Sequence, residues 1–457
     1  MMRRSSLRLF GTRPWTCCCA AVVFALASTA QEPHQGLATS SPDAIHGKIQ
    51  VDSWNIAAGA LKAMMPAFTA AYPNVDVAIN MSGAQLQARF MLSLVAGVGA
   101  PDVSQLQLQE VPRYSCTGRL TDLTRIAAKY RDAFPENVWK DCMHEGRVYA
   151  IPWDIGPCAV FYKRDLFEKY GVDVNAIQTW DDYIAVGERI LEASGGKTKM
   201  LFYPTGFQEI LFEMLLRQSG GQVFDDSGRI AVNSSESIAV LEVLRRFVKT
   251  GISANTQYWS QPFFASFNTE SVATYPMAVW FGGFIRDYAP DKSGKWGIFP
   301  LPALNPGGLR TSSYGGSALV IPDQCAQKDA AWGFIEFALC RRDSQLGHYR
   351  SFDLFPAMTT VYDDPFFDEA VEYFGGQQVR RLFTKDVKRI PAMNRTKDWV
   401  ETSSYLRQSL GHWAGEGMGD PQAFLRTLEK RLARRLDRKL SPLSLSLREM
   451  APGDGLN

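Results

Sequence analysis

The sequence predicts an α/β protein built as two lobes, and three observations carry that reading. Strand-like segments alternate with helical ones of about 10 to 15 residues, the pattern of βαβ units around a largely parallel sheet. The 457 residues exceed one ordinary core and suit two or three units of about 150 residues. The run from Ala150 to Phe167, AIPWDIGPCAVFYKRDLF, reads as a fully buried strand that passes through proline and glycine and then opens a helix at Asp165. The chain is therefore expected to cross there from one lobe to the other. A crossing sets polar and aromatic residues at a cleft between two walls, where a small molecule can bury most of its surface.

Elements follow in order. Lys48 to Trp54 forms a strand, and Leu61, Met64, Met65, Phe68 and Ala71 repeat at helical spacing until Tyr72-Pro73-Asn74, where proline ends the helix. Val75 to Ile79 alternates as a second strand, a helix runs from Gln85 through Phe90 and Leu94, and Asp102 to Leu106 is a third strand. Beyond the crossing, Thr179 is placed to cap a helix carrying Ile184, Val186 and Ile190. Further helices run from Gln208 to the stop Gly220-Gly221, from Ser234 to Val248, from Pro262 to Thr274 and from Lys328 to Leu339. Met277 to Trp280, Trp296 to Pro302 and Tyr314 to Ile321 read as strands.

The amino terminus reads as a signal peptide over 1–30. Arg3, Arg4, Arg8 and Arg13 precede the apolar or small run Cys17 to Ala27, and Ser28-Thr29-Ala30 offers small residues for cleavage before Gln31. That run is too short for a bilayer, which needs about 20 residues. A second reading makes Cys17, Cys18 or Cys19 a lipidated anchor. Residues 31–46, rich in Ser, Pro, Gln and Gly, read as a flexible leader. The expectation is an exported, periplasmic monomer. Removing residues 1–30 takes away four Arg and no acid, turning a formal charge of +2 into −2, which argues against nucleic acid as a partner. Five cysteines remain, Cys116, Cys142, Cys158, Cys325 and Cys340, an odd number that leaves at least one free thiol and room for one or two disulfides.

Enzyme signatures are lacking. There is no Gly-x-Ser-x-Gly elbow, His-Glu-x-x-His, phosphate loop or Gly-x-Gly-x-x-Gly after a strand, and five scattered histidines make no triad or zinc site. No catalytic residue, metal or cofactor is expected. What stands out are polar and aromatic residues where strands end, the ligand edge of an open α/β sheet. On the first lobe these are Trp54 and Asn55, Ser82 and Gln85, and Gln107 and Gln109. From the second lobe and the returning segments come Trp153, Asp154, Gln208, Trp280, Phe284, Tyr314, Gly315 and Gly316. Amides both donate and accept hydrogen bonds, which suits neutral hydroxyls, and aromatic rings offer flat apolar faces to a sugar ring. Core packing is the competing reading for each Trp and Phe.

From about residue 48 to 436 the chain resembles family 1 of the extracellular solute-binding proteins, the carbohydrate-uptake group that includes maltose-binding protein and serves ABC importers. Five segments carry the resemblance in order: Val51 to Phe68, Gly99-Ala100-Pro101-Asp102-Val103, the crossing strand with Tyr162-Lys163-Arg164-Asp165-Leu166, Pro276 to Gly283, and Trp296 to Pro302 followed by Tyr314-Gly315-Gly316. It implies a periplasmic-binding-protein-like fold, with two discontinuous α/β lobes joined by a hinge that close over a carbohydrate and present it to permease subunits. Lobe 1 is expected to comprise 47–155 and 259–312, lobe 2 to comprise 156–258 and 313–440, and 441–457 to be a tail. The resemblance adds Phe355, in the loop Ser351 to Ala357, and Trp399 as cleft residues, and it sets Phe284 where the family often has a stacking indole. Two alternatives stay open: a glycerol 3-phosphate or glycerophosphodiester binder of the same family, and a secreted glycoside-active enzyme.

Overall fold

The computed structural model describes residues 41–83, 85–204 and 206–444. The expected signal peptide, the cysteines proposed for lipidation, most of the leader and nearly all of the tail lie outside these residues. Strand β1 (Gly47–Ser53) leads into helix α1 (Asn55–Ala71), and β2 (Val75–Met81) leads into α2 (Leu86–Ala96) and β3 (Val103–Gln107). β1 lies between β2 and β3, parallel to both. Helix α1 buries Leu61, Met64 and Phe68. The Phe68 ring meets Phe334 and Phe337 edge-on, with centroids 5.3 and 5.4 Å away, which seats α1 against a helix far along the chain.

The crossing strand is a single 14-residue element, β4 (Ala150–Lys163). Its first half pairs with the late strand that carries Ser313–Val320, and its second half is flanked by β5 (Thr274–Ala278) and β6 (Trp296–Pro300), all antiparallel. The late strand, β7 (Ser313–Val320), completes the sheet by pairing antiparallel with β3. The largely parallel arrangement expected holds in this sheet for β1 to β3, and a separate short ladder of Leu201–Phe202 with Ser253–Ala254 is parallel too. β4 is buried on both faces beyond Pro157: Ala159 and Phe161 enter one apolar cluster while Cys158, Val160 and Tyr162 enter the other. Burial on both sides is why the sequence runs apolar there without alternation.

The second cluster is helical. α3 (Trp180–Ala193) begins with a capping box, in which Thr179 accepts from the Asp182 N–H and Asp182 reaches back to Thr179. α4 (Gln208–Ser219) ends at Gly220, whose φ of 79° closes the helix in the left-handed region. α5 (Ser235–Lys249) packs beside it. After the short α6 (Phe281–Tyr288) come α7 (Lys328–Leu339) and α8 (Arg342–Phe352), both set against α1. α9 (Trp399–Gly415) and α10 (Pro421–Leu436) return to α4 and α5.

The return segments touch both clusters. Within 259–312, β5 and β6 pair with the second half of β4, while Phe263, Phe267, Tyr275, Met277 and Trp296 pack in the first cluster. Within 313–440, β7 pairs with β3 and α7 and α8 pack on α1, whereas α9 and α10 join the second cluster. A strand's place follows from its pairing partner, and residue types in a short apolar run do not name that partner. The five cysteines among the described residues are free, with Cys116 exposed and the others buried. No helix among the described residues is long and apolar enough to cross a membrane.

β4 and β7 cross with their backbones in contact. A Cβ at Gly156 would lie 1.9 Å from the Tyr314 carbonyl oxygen, and one at Gly316 would lie 2.8 Å from that of Asp154. Gly156→Ala should therefore lower stability by about 3 kcal/mol, the upper range for overpacking, whereas Gly283→Ala, whose nearest neighbour is a side-chain atom 3.9 Å away, should be neutral or stabilising. Urea titration of both variants checks this; equal midpoints would refute the contact.

Candidate functional site

Because β1 to β3 are parallel, their carboxyl ends share one edge, and that edge gathers Trp54, Asn55, Ser82, Gln85, Gln107 and Gln109. β7 begins at the same edge, since Ser317 faces Gln107. A chain of hydrogen bonds ties these strands together. Ser53 Oγ donates to Gln105 Oε1 at 2.6 Å, Gln105 Nε2 donates to Ser317 Oγ at 2.9 Å, and Ser317 Oγ donates to the Asp154 carboxylate. The Trp54 N–H also reaches Gln105 Oε1. Gln105, absent from the sequence candidates, is the fully buried centre of this chain. It precedes Gln107 by two along β3, the period that puts strand residues on one face. Burial pushes the Asp154 carboxyl up from the ordinary carboxylate value, opposed by the Ser317 hydroxyl and amide.

Further along the edge, Ser82 Oγ accepts from Arg89 Nη2 at 2.6 Å, and Asp52 lies 3.9 Å from Arg89 and accepts from Asn80. These groups and Gln85 line a pocket of about 600 Å³. Gln107 and Gln109 are bonded to each other through their amides. Asn55 is exposed, with a φ of 33°.

Beside the crossing, and packed on the first cluster through Phe281, is an aromatic wall. Trp280 Nε1 donates to the Tyr314 carbonyl at 3.1 Å, which fixes the indole beside the crossing residues Tyr314, Gly315 and Gly316. The ring of Trp259 lies 6.0 Å from Trp280 and 5.3 Å from Phe284, and Trp259 and Phe284 are each 37% exposed. Trp259, with a φ of 65°, was not among the sequence candidates, because it sits in a loop with no periodic context. Tyr314 is half-buried, and burial drives its hydroxyl far above its ordinary value.

Four candidates fall elsewhere. Trp153 is buried in the first cluster, its Nε1 donating to His348 Nδ1 at 3.0 Å. Phe355 is buried against Tyr349 and Tyr362, and Trp399 is buried against Phe224 with the Arg395 guanidinium over its ring. These three rings pack cores. Gln208 is buried too, its Oε1 accepting from the Gly206 N–H.

Behind Tyr314, α4 carries a buried polar stripe at every fourth residue. Glu209 Oε1 accepts from Arg407 at 2.6 Å, Glu213 Oε1 accepts from Ser403 at 2.8 Å, and Arg217 lies 3.6 Å from Asp141, which also accepts from Arg395 at 3.0 Å. Asp141 ends a short helix seated in the first cluster through Val138 and Trp139, so this last group joins the two clusters.

Residues 53–339 match the family described as bacterial extracellular solute-binding protein. The chain belongs to that family. This solute-binding protein is 28% identical over 297 residues to the arabinooligosaccharide-binding protein of Halalkalibacterium halodurans, covering 64% of this chain and 66% of the relative. It is 30% identical over 275 residues to that of Bacillus subtilis, covering 58% and 63%. It thus spans just under two thirds of the length of these two relatives. The lactose-binding protein of Rhizobium radiobacter is 26% identical over 383 residues, covering 78% and 85%. The fold is shared with the sugar-binding protein MalE from Xanthomonas citri, at 19% identity and a TM-score of 0.74 over 85% of this chain and 98% of that one. It is shared as well with the ABC transporter associated binding protein from B. animalis subsp. lactis in complex with beta-1,6-galactobiose, at 23% identity and a TM-score of 0.70 over 87% and 100%.

The polar stripe makes stability depend on pH. Burial lifts the Glu213 carboxyl to about 7, against the pull of Arg395 and the Ser403 hydroxyl. Between its ordinary 4.5 and 7 the unfolded chain has released a proton that the folded chain keeps, so stability falls as pH rises through that window, by about 3 kcal/mol in total. Below the window the contribution is fully present. Glu213→Gln should flatten this slope in denaturant titrations at pH 4.5 and 7.5; an unchanged slope would assign it to other groups.

Proposed function

We propose that this solute-binding protein captures a sugar or short oligosaccharide between its lobes and presents it to the permease of an ABC importer. The observation that carries the reading is the half-exposed aromatic wall of Trp259, Trp280 and Phe284, held beside the glycine crossing. Large aromatic faces left open to solvent mark binding surfaces, and they stack on the C–H face of a sugar while amides and hydroxyls along the sheet edge address its hydroxyl groups. The sugar-binding names of the relatives support the same class. The protein acts before transport, outside the cytoplasm, with a periplasmic location and a monomeric state as the working assignment; a lipid anchor at Cys17, Cys18 or Cys19 is the alternative mode of retention.

The mechanism follows from linkage. A ligand touching both walls favours the closed arrangement of lobes only by its difference in affinity for closed and open forms. Residues along β4 and β7 absorb the rotation, and the permease reads the closed form. No bond in the ligand changes.

Thermal melts with arabinan oligosaccharides, lactose, galactobiose, maltose and glycerol 3-phosphate test this. A bound sugar at 100 times its Kd raises stability by about 2.7 kcal/mol, and the sugar should be recovered unaltered. Trp280→Ala should weaken binding about tenfold or more. Stabilisation by glycerol 3-phosphate alone, or cleavage of a glycosidic bond, would overturn the assignment.

A further inference from the structure

The aromatic wall does not stop at the crossing. Trp280 caps the start of α6, and Phe284 and Tyr288 follow at intervals of four residues, so the three share one helix face. At 1.5 Å per residue the stripe runs about 12 Å, longer than one sugar ring. The adjoining face of α6, with Phe281 and Ile285, is buried in the first cluster, which seats the helix and leaves Phe284 and Tyr288 at its exposed margin. Tyr288 at its far end is 48% exposed. Its ring lies flat on Phe264, centroids 3.9 Å apart and planes 10° from parallel, and Phe264 in turn meets Trp259 and Phe284 at 6.3 and 6.4 Å. Next to the stripe, Arg286 is paired with Asp353 just after α8, so α6 is tied down on its flank as well.

The Phe264 contact holds the Tyr288 ring in one orientation before any ligand arrives, which removes an ordering cost from binding. We propose that Phe264 and Tyr288 form a distal platform, continuous with Trp259, Trp280 and Phe284, that stacks a further sugar unit and makes the protein select oligosaccharides over shorter sugars. This rests on the carbohydrate reading above and extends it to chain length.

Calorimetric titration of the whole protein with an arabinan series from one to four units, and with a β-galactoside series of the same lengths, tests the platform. Wild type should gain affinity with length in whichever series it binds. Tyr288→Ala and Tyr288→Leu should each remove about three- to tenfold of that gain, the size of one aromatic contact, while Tyr288→Phe should retain it; melting curves establish that each variant is folded. The platform is overturned if wild type binds a sugar with no gain beyond the shortest, if the gain survives loss of the ring, or if sedimentation shows a dimer that Tyr288→Ala dissolves while the gain persists. Failure of the carbohydrate reading looks different: no member of either series then binds wild type at all.

Discussion

Two chain crossings pressed backbone to backbone govern the rest of the architecture. β4 and β7 pass each other where Gly156 and Gly316 remove the side chains that would otherwise hold them apart. Gly315 and Gly316 adopt φ values of 83° and 103°, which only glycine takes at no steric cost. The resulting irregularity in pairing between Ser313 and Gly316 turns the Tyr314 carbonyl out of the ladder, and that carbonyl then accepts the Trp280 indole N–H. An aromatic wall on one cluster is thereby positioned by a backbone atom of the hinge. Movement at the crossing and the setting of the wall are therefore one mechanical problem.

On the other side of the crossing, polarity is managed by completion. The amide of Gln105 uses its oxygen on Ser53 and Trp54 and its nitrogen on Ser317, and Ser317 passes the chain to Asp154. A buried polar group left unpaired costs about 1 to 3 kcal/mol, so this chain holds four strands in one register at the rim where the site residues begin. Asp154 is committed within it. The groups left open to solvent along the same edge include the amides of Asn55, Gln85 and Gln107, suited to hydroxyl groups, together with the Arg89 guanidinium, which donates to Ser82 and lies beside Asp52.

Local chemistry was legible in the sequence wherever neighbours in the chain decide it. Thr179 and Asp182 declare a helix start, Gly220 declares an end, and the unbroken apolar run after Pro157 declares a strand covered on both sides. What depends on distant partners was not legible. Trp153 and Trp280 are the same residue type near strand ends, yet one bonds His348 and fills a core while the other bonds a hinge carbonyl and stays half open. Trp259 belongs with these, since its setting comes from rings on α6. Gln105 differs: its period-two relation to Gln107 is a feature of the sequence itself.

Asp141 brings a consequence for how the lobes can move. It extends from the first cluster to Arg217 and Arg395 of the second, and all three charges are shielded from water. Pulling such a group apart costs about 3 to 5 kcal/mol, a large part of what a bound small molecule supplies. In the proposed closure, a swing that keeps this ionic group intact would turn the two clusters about it, like a door on its post, with the far rim travelling while the post stays still.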